Sequence, residues 1–133
     1  MTVALHFVWE MRQGGWFASM DRLSFWHATL LCARATLGDV VITAGAFAIA
    51  AAAARDLHWP AENRPSWLPF AIFVVTGLAA TVAYEIHALA VGEWSYAETM
   101  PTIEGVGLLP ILQWLIIPIA EVAAFRLLWR SRL

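Results

Sequence analysis

The chain has 133 residues, of which 61% are hydrophobic and 14% charged, and its net charge is −2. A soluble domain of this size could not bury so much apolar surface, because small folds leave a large share of their surface in water. The sequence has no basic stripe that could bind nucleic acid, and its single cysteine excludes an internal disulfide. The composition therefore predicts an integral membrane protein with one domain over residues 1–133.

The first segment, residues 1–20, has two interpretations. It is rich in large apolar side chains, but it also carries His6, Glu10, Arg12 and Gln13. A charged side chain at the centre of a membrane helix costs roughly 2.5–3.5 kcal/mol. We therefore expect either an amphipathic helix in the membrane interface or a short fourth membrane helix.

Three later stretches are long enough to cross a bilayer, and they comprise residues 27–54, 67–91 and 106–129. Each supplies the roughly 20 apolar residues that a hydrocarbon core of about 30 Å requires. Backbone groups in lipid must find hydrogen-bond partners within their own segment, so the three stretches must be helices. We predict an all-α fold, a polytopic membrane helix bundle with three transmembrane helices in addition to the N-terminal helix.

The distribution of arginine predicts the orientation. Arg55 and Arg64 lie between the first two spans, and Arg126, Arg130 and Arg132 lie at or after the end of the last one, whereas residues 92–105 contain three glutamates and no basic residue. Arg12 and Arg22 fall on the other side in this scheme. Cytoplasmic loops carry the excess of arginine and lysine. We therefore predict a multi-pass protein of the cell inner (plasma) membrane, with a cytoplasmic C-terminus and an acidic, aromatic outer loop at residues 92–105.

Polar residues inside the predicted spans are the candidates for chemistry, because each is costly in lipid unless it has a partner. Helical spacing places them on single faces of their segments. The face of the first span comprises Thr29, Cys32, Thr36, Asp39 and Thr43, and it continues as Ala46, Ala50 and Ala54. The corresponding face of the second span comprises Gly77, Thr81, Tyr84, Glu85 and Ala88, and that of the third comprises Pro110, Gln113, Trp114, Ile117 and Glu121.

Four polar residues of the predicted spans are expected at a similar depth in the membrane. At about 1.5 Å per residue, Arg34, Asp39, Glu85 and Gln113 all fall in the outer half of the bilayer. We expect them to form one polar site there. The residues expected to cap or cover this site are His6, Glu10 and Gln13 from the N-terminal segment and Trp94 and Tyr96 from the outer loop.

One local similarity concerns residues 93–110. Glu93-Trp94-Ser95-Tyr96, followed by Gly105-Val106-Gly107-Leu108-Leu109-Pro110, resembles the aromatic loop and the Gly/Pro-led helix of membrane lycopene cyclases and carotenoid hydratases. The cyclase pattern has paired acidic residues after the proline, whereas this chain has Ile111-Leu112-Gln113-Trp114. The chain therefore lacks, at those positions, the residues that would carry the cyclase chemistry.

The first candidate function is an enzyme that performs acid–base chemistry on a lipid or isoprenoid. Asp39 and Glu85 are the predicted titrating pair, with Glu10 as a further catalytic carboxylate. Arg34 would hold one carboxylate ionised, and Gln113 would orient the substrate. A structural interpretation competes with this one, because Arg34 could simply neutralise a carboxylate and fix helix packing.

Two other functions fit the sequence, which does not decide whether the protein is an enzyme. The protein could be an accessory or structural subunit of a larger respiratory or photosynthetic membrane complex, with the alanine-rich residues 44–54 as its docking face. It could also be a self-associating proton or cation channel or transporter. The expected partners are membrane lipids or a hydrophobic small molecule, a second copy of the chain or a larger complex, and no nucleic acid. The sequence identifies no cofactor, and we predict no metal site.

Overall fold

The computed structural model describes residues 1–18, 20–61 and 67–130, and these residues form a helical bundle. The α-helices are α1 (Thr2–Gln13), α2 (Phe25–Ala54), α3 (Trp67–Val91) and α4 (Leu108–Arg130). Short 3-10 turns occur at Gly14–Trp16, Met20–Arg22 and Trp59–Ala61, and a small hairpin comprises β1 (Thr102–Ile103) and β2 (Val106–Gly107). The predicted all-α fold is confirmed. Arg64 and Arg132, which entered the predicted orientation, lie outside the described residues.

Three of the helices are long and apolar enough to cross a membrane, and they are α2, α3 and α4 as far as Trp129. This confirms the three predicted spans. α2 begins at Phe25 rather than at 27, because Ser24 caps it and its hydroxyl accepts the backbone N–H of His27 at 3.4 Å. α4 begins at Leu108 rather than at 106, because residues 106–107 pair with β1.

α1 is the short fourth helix of the bundle. Its 12 residues extend only about 18 Å, against a membrane core of about 30 Å. It runs antiparallel to α2, since Gly14 at its C-terminal end lies near Cys32, whereas His6 contacts Thr43. The buried side chains of α1 are His6, Glu10 and Gln13, so its polar face points into the bundle.

The core of the bundle lies at the end opposite the 92–105 loop. Trp59, Phe73 and Trp114 pack there edge to face, and Trp59 and Trp114 are fully buried. Ala46 and Ala50 lie against these rings. The alanine-rich face that was predicted to receive a partner helix is therefore partly occupied within the chain, because small side chains there make room for aromatic rings.

The chain between α3 and α4 folds back over one end of the bundle, which we call the loop end. Glu104 and Gly105 join β1 to β2 with φ angles of 49° and 82°, as a two-residue hairpin turn of type I′ requires. Earlier in the same loop, Tyr96 pairs with Phe17, and the backbone N–H of Ala97 donates to the carbonyl of Trp16 at 2.9 Å. The loop is thereby attached to the segment that follows α1.

A glycine in α3 allows the closest contact between α3 and α4. The ring of Trp114 lies against the backbone at Gly77, so that a Cβ atom at this position would overlap the ring. We expect Gly77→Ala to lower the free energy of unfolding by about 1–3 kcal/mol, since a well-packed core accommodates an added methyl group poorly. Thermal unfolding in detergent, followed by circular dichroism, measures the change.

Gly45→Ala is the matched control, because no atom lies within 4 Å of a Cβ placed at Gly45 in α2. This substitution should leave the melting temperature unchanged or raise it slightly, as alanine favours the helix. Equal melting temperatures for the two variants would contradict the close contact at Gly77.

Candidate functional site

A cavity of about 780 Å³ opens at the loop end of the bundle. It lies among the C-terminal parts of α1 and α3, the N-terminal parts of α2 and α4, and residues 92–95. Its wall combines ionisable and apolar side chains. The ionisable ones include Glu10, Arg34, Asp39, Glu85 and Glu93, and the apolar ones include Phe17, Met20, Leu23, Leu31, Ile42 and Leu89.

Two carboxyl groups meet on one side of this cavity. Glu10 of α1 and Asp39 of α2 are close enough to interact directly, and we call them the carboxyl pair. Gln13 donates to Glu10 Oε1 at 2.6 Å, and Gln113 donates to Asp39 Oδ2 at 2.8 Å. Burial and the neighbouring Asp39 raise the pKa of Glu10 above its ordinary value. Two neighbouring negative charges are unfavourable in an apolar bundle, and this favours the protonated form of Glu10.

His6 fixes the carboxyl pair from behind. Its Nδ1 lies 2.8 Å from Gln113 Nε2 and 3.4 Å from Asp39 Oδ2, and its Nε2 lies 3.1 Å from Thr43 Oγ1. The amide of Gln113 satisfies both neighbours when it donates one hydrogen to Asp39 and the other to His6 Nδ1. The imidazole is then neutral and donates from Nε2 to Thr43. These contacts give Gln113 a positioning role toward Asp39 and His6, and its predicted role in orienting the substrate remains a prediction.

Glu85 forms a second carboxylate site on the α3 side of the cavity. Its Oε2 accepts hydrogen bonds from the phenol of Tyr96 and from the indole of Trp94, the latter at 3.3 Å. The Tyr96 hydroxyl also accepts the backbone N–H of Gly107 at 3.0 Å. A side chain larger than hydrogen at 107 would press on the Tyr96 ring, so glycine there allows the phenol to reach Glu85. Two residues of the 92–105 loop thus hold a buried carboxylate of α3.

The phenol of Tyr96 remains protonated. Burial and the hydrogen bond to Glu85 both raise the pKa of Tyr96 above its ordinary value. The hydroxyl therefore serves as a permanent donor to Glu85, and together with Trp94 it stabilises negative charge on that carboxylate.

Arg34 lies at the mouth of the cavity and not at its base. Its side chain is 75% exposed, and its Nη2 lies 3.2 Å from Glu93 Oε1. The carboxylate that Arg34 contacts is therefore that of Glu93 and not one at the base of the cavity. α2 has 30 residues and is therefore about 45 Å long, which exceeds the thickness of the membrane core. A helix of this length extends beyond the core at one end or at both, and at the loop end Arg34 meets an acid of the loop.

The structure brings the predicted site residues into one region. The ones that line the cavity are Glu10, Gln13, Arg34, Asp39, Glu85, Trp94 and Gln113. His6 and Tyr96 lie one layer behind it, where they contact Asp39 and Glu85. Their predicted roles in catalysis and substrate binding remain predictions.

Two contacts of the site have no counterpart in the sequence prediction, and they are the pairs Arg34–Glu93 and His6–Thr43. The sequence shows that Arg34 and Glu93 have opposite charges. Whether the two side chains lie at the same height depends on how far α2 extends at the loop end, which the sequence does not show. The second pair depends on α1 lying along α2. Among residues 1–18, 20–61 and 67–130, no group of three or more His, Cys, Asp and Glu side chains is arranged to hold a metal ion.

In comparisons with known proteins, no protein-family model, curated protein or solved structure matches this chain. The geometry of the cavity is therefore the basis for any function proposed for it.

The contact between Tyr96 and Glu85 makes a prediction about stability. Tyr96→Phe removes a donor from a buried carboxylate and an acceptor from the N–H of Gly107, and an unsatisfied buried group costs about 1–3 kcal/mol. We expect a decrease of that size in the free energy of unfolding, measured by thermal unfolding in detergent.

Tyr84→Phe is the control. Tyr84 is exposed and donates to Glu93 at 3.4 Å, so its loss should change the free energy of unfolding by less than about 0.5 kcal/mol. A Tyr96→Phe protein as stable as the Tyr84→Phe protein would show that the loop does not hold Glu85.

Proposed function

We propose that the protein is a membrane enzyme that performs acid–base chemistry on a lipid or isoprenoid bound in the loop-end cavity. One observation carries this proposal: two carboxylate sites with different surroundings face the same cavity, the carboxyl pair on one side and Glu85 on the other. Enzymes keep one carboxyl protonated and another ionised by such a difference in surroundings. A substrate between them could receive a proton from one and lose a proton to the other.

The carboxyl pair is the proposed acid. Glu10 and Asp39 retain a proton between them because both cannot be charged in an apolar environment. Gln13 and Gln113, which also line the cavity, and His6 behind them hold the two groups in place. The proton of the pair is thus presented to the cavity by side chains with fixed positions.

Glu85 is the proposed base. The phenol of Tyr96 and the indole of Trp94 stabilise its negative charge without neutralising it, because both are uncharged donors. Both donors belong to the loop that covers the cavity. Binding of a substrate under this loop and activation of the base are therefore linked in the proposal.

The charges of the cavity support a neutral substrate. Among the described residues, four carboxyl groups line it, those of Glu10, Asp39, Glu85 and Glu93, whereas the one lining arginine, Arg34, is already paired with Glu93. An anionic head group would be repelled there. The apolar side chains of the wall suit a hydrocarbon chain. The cavity volume of about 780 Å³ falls within the usual range for ligand pockets, about 300–1,000 Å³.

The proposed location is the outer half of the cell inner (plasma) membrane, with the C-terminus in the cytoplasm. The support is the distribution of charge. Arg55 and Arg126 lie at the end opposite the acidic loop, and arginine is retained on the cytoplasmic side. Arg12, Arg22 and Arg34 lie at the loop end and do not follow this rule. The cavity is at the loop end. It would then open toward the external leaflet.

Exchange of hydrogen with solvent tests the proposal. The purified protein is incubated in D₂O buffer with a neutral lipid extract from the membranes that produced it, and the lipids are analysed by mass spectrometry. We expect a neutral lipid or isoprenoid to gain deuterium or to change in mass. Asp39→Asn or Glu85→Gln should slow this conversion by about 10²–10⁴-fold, the range typical of lost acid or base catalysis.

Glu98→Gln is the matched control, because Glu98 is an exposed acid of the same loop and does not line the cavity. This variant should convert the lipid at the wild-type rate. Wild-type rates in both Asp39→Asn and Glu85→Gln, with all variants folded by circular dichroism, would refute the proposed acid and base.

A further inference from the structure

A second cavity, of about 350 Å³, lies on the other side of His6, toward the end of the bundle opposite the loop. Its wall includes Thr43 of α2, Phe73 of α3, Glu121 of α4 and the 3-10 turn at Trp59. We call it the lower cavity. It begins at the level of Thr43 and reaches the turn that closes the opposite end.

Two polar atoms of this wall have no hydrogen-bond partner in the part of the chain that the structure describes. They are the indole Nε1 of Trp59 and Oε1 of Glu121, and both side chains are more than nine-tenths buried. Buried groups of this kind are satisfied by ordered water when the space allows it. The lower cavity, with a volume of about 350 Å³, is large enough to hold ordered water beside these two atoms. Water there would connect Glu121 with Thr43 and Trp59.

The imidazole of His6 separates the two cavities. It is 1% exposed, with Nδ1 facing Asp39 and Gln113 on the loop side and Nε2 bonded to the hydroxyl of Thr43 on the lower side. Thr43 is itself part of the wall of the lower cavity. A carboxyl group, an imidazole and a hydroxyl therefore stand in sequence between one cavity and the other.

We propose that His6 and Thr43 conduct protons between the loop-end cavity and the lower cavity. In the forward step the proton of the carboxyl pair passes by way of Asp39 Oδ2 to His6 Nδ1, and His6 releases its Nε2 proton to Thr43 Oγ1. The original hydroxyl proton of Thr43 passes to water in the lower cavity. The carboxyl pair takes up a replacement proton from the loop-end cavity, Thr43 ends as a hydroxyl, and His6 ends as the tautomer with its proton on Nδ1. A flip of the ring then turns the bare Nε2 toward Asp39 and the Nδ1–H toward Thr43, so that a second proton can follow.

The packing at this point favours protons over other ions. The imidazole of His6 lies directly against Thr43 and Gln113, at 3.1 Å and 2.8 Å, so no water-filled file separates them through which a hydrated cation could move. Transfer from Asp39 to His6 needs a small approach, because 3.4 Å is slightly longer than a direct hydrogen bond. A proton can pass along such direct contacts from one group to the next, without a water-filled opening.

This proposal goes beyond the acid–base chemistry, and it does not depend on any lipid substrate. The experiment reconstitutes the full chain into vesicles of phosphatidylcholine and phosphatidylglycerol that contain a pH-sensitive dye. A pH step is applied with the membrane potential clamped by valinomycin and potassium. We expect a proton flux at least tenfold above that of protein-free vesicles, with no matching flux of sodium.

Thr43→Val and His6→Leu should each return the proton flux to the protein-free level, whereas Thr43→Ser should retain it. Thr43→Val keeps the shape of the side chain and removes only the hydroxyl, so it tests the route even if His6→Leu fails to fold.

His87→Leu is the matched control, since His87 is an exposed histidine of α3, and it should conduct as the wild type does. A wild-type flux no greater than that of empty vesicles, or an undiminished flux in folded Thr43→Val, would overturn the proposal.

Discussion

The burial of carboxyl groups in an apolar helical bundle is the constraint on which the rest of this structure depends. Each such group has to be protonated, hydrogen-bonded or paired, because an isolated charge in a low-dielectric interior is very costly. The described structure meets this requirement in two ways. Glu10 and Asp39 lie together and receive the amides of Gln13 and Gln113, whereas Glu85 receives the donors of the 92–105 loop.

The positions of α1 and of the 92–105 loop follow from the hydrogen-bond donors that they supply to these carboxyl groups. α1 is too short to cross a membrane, yet it is the element that brings His6, Glu10 and Gln13 to the polar face of α2. The 92–105 loop is held by its pairing with the segment after α1, and it supplies the partners of Glu85 from above. One end of the bundle is thus polar and hollow, and the other is filled by aromatic rings against alanines.

Much of the fold could be predicted, because helical periodicity and span length are local properties of the sequence. The steps of three and four residues correctly located Cys32, Thr36 and Thr43 on the buried face of α2, and Gln113 on that of α4. Tyr84, assigned to the buried face of α3, is instead exposed. The partner of Arg34 and the link from His6 to Thr43 could not be predicted, since both depend on the relative heights of different helices, which local spacing does not determine.

The central claim is that Glu10 and Asp39 share a proton inside the bundle, and infrared spectroscopy tests it most directly. The wild-type protein at neutral pH should show the carbonyl stretch of a protonated carboxyl group, and D₂O should shift this band. We predict that Glu10→Gln and Asp39→Asn each remove the band, because the remaining carboxyl group can then ionise alone, and that Glu121→Gln retains it. A wild-type protein without the band, or a band unaffected by both substitutions in the pair, would contradict the account.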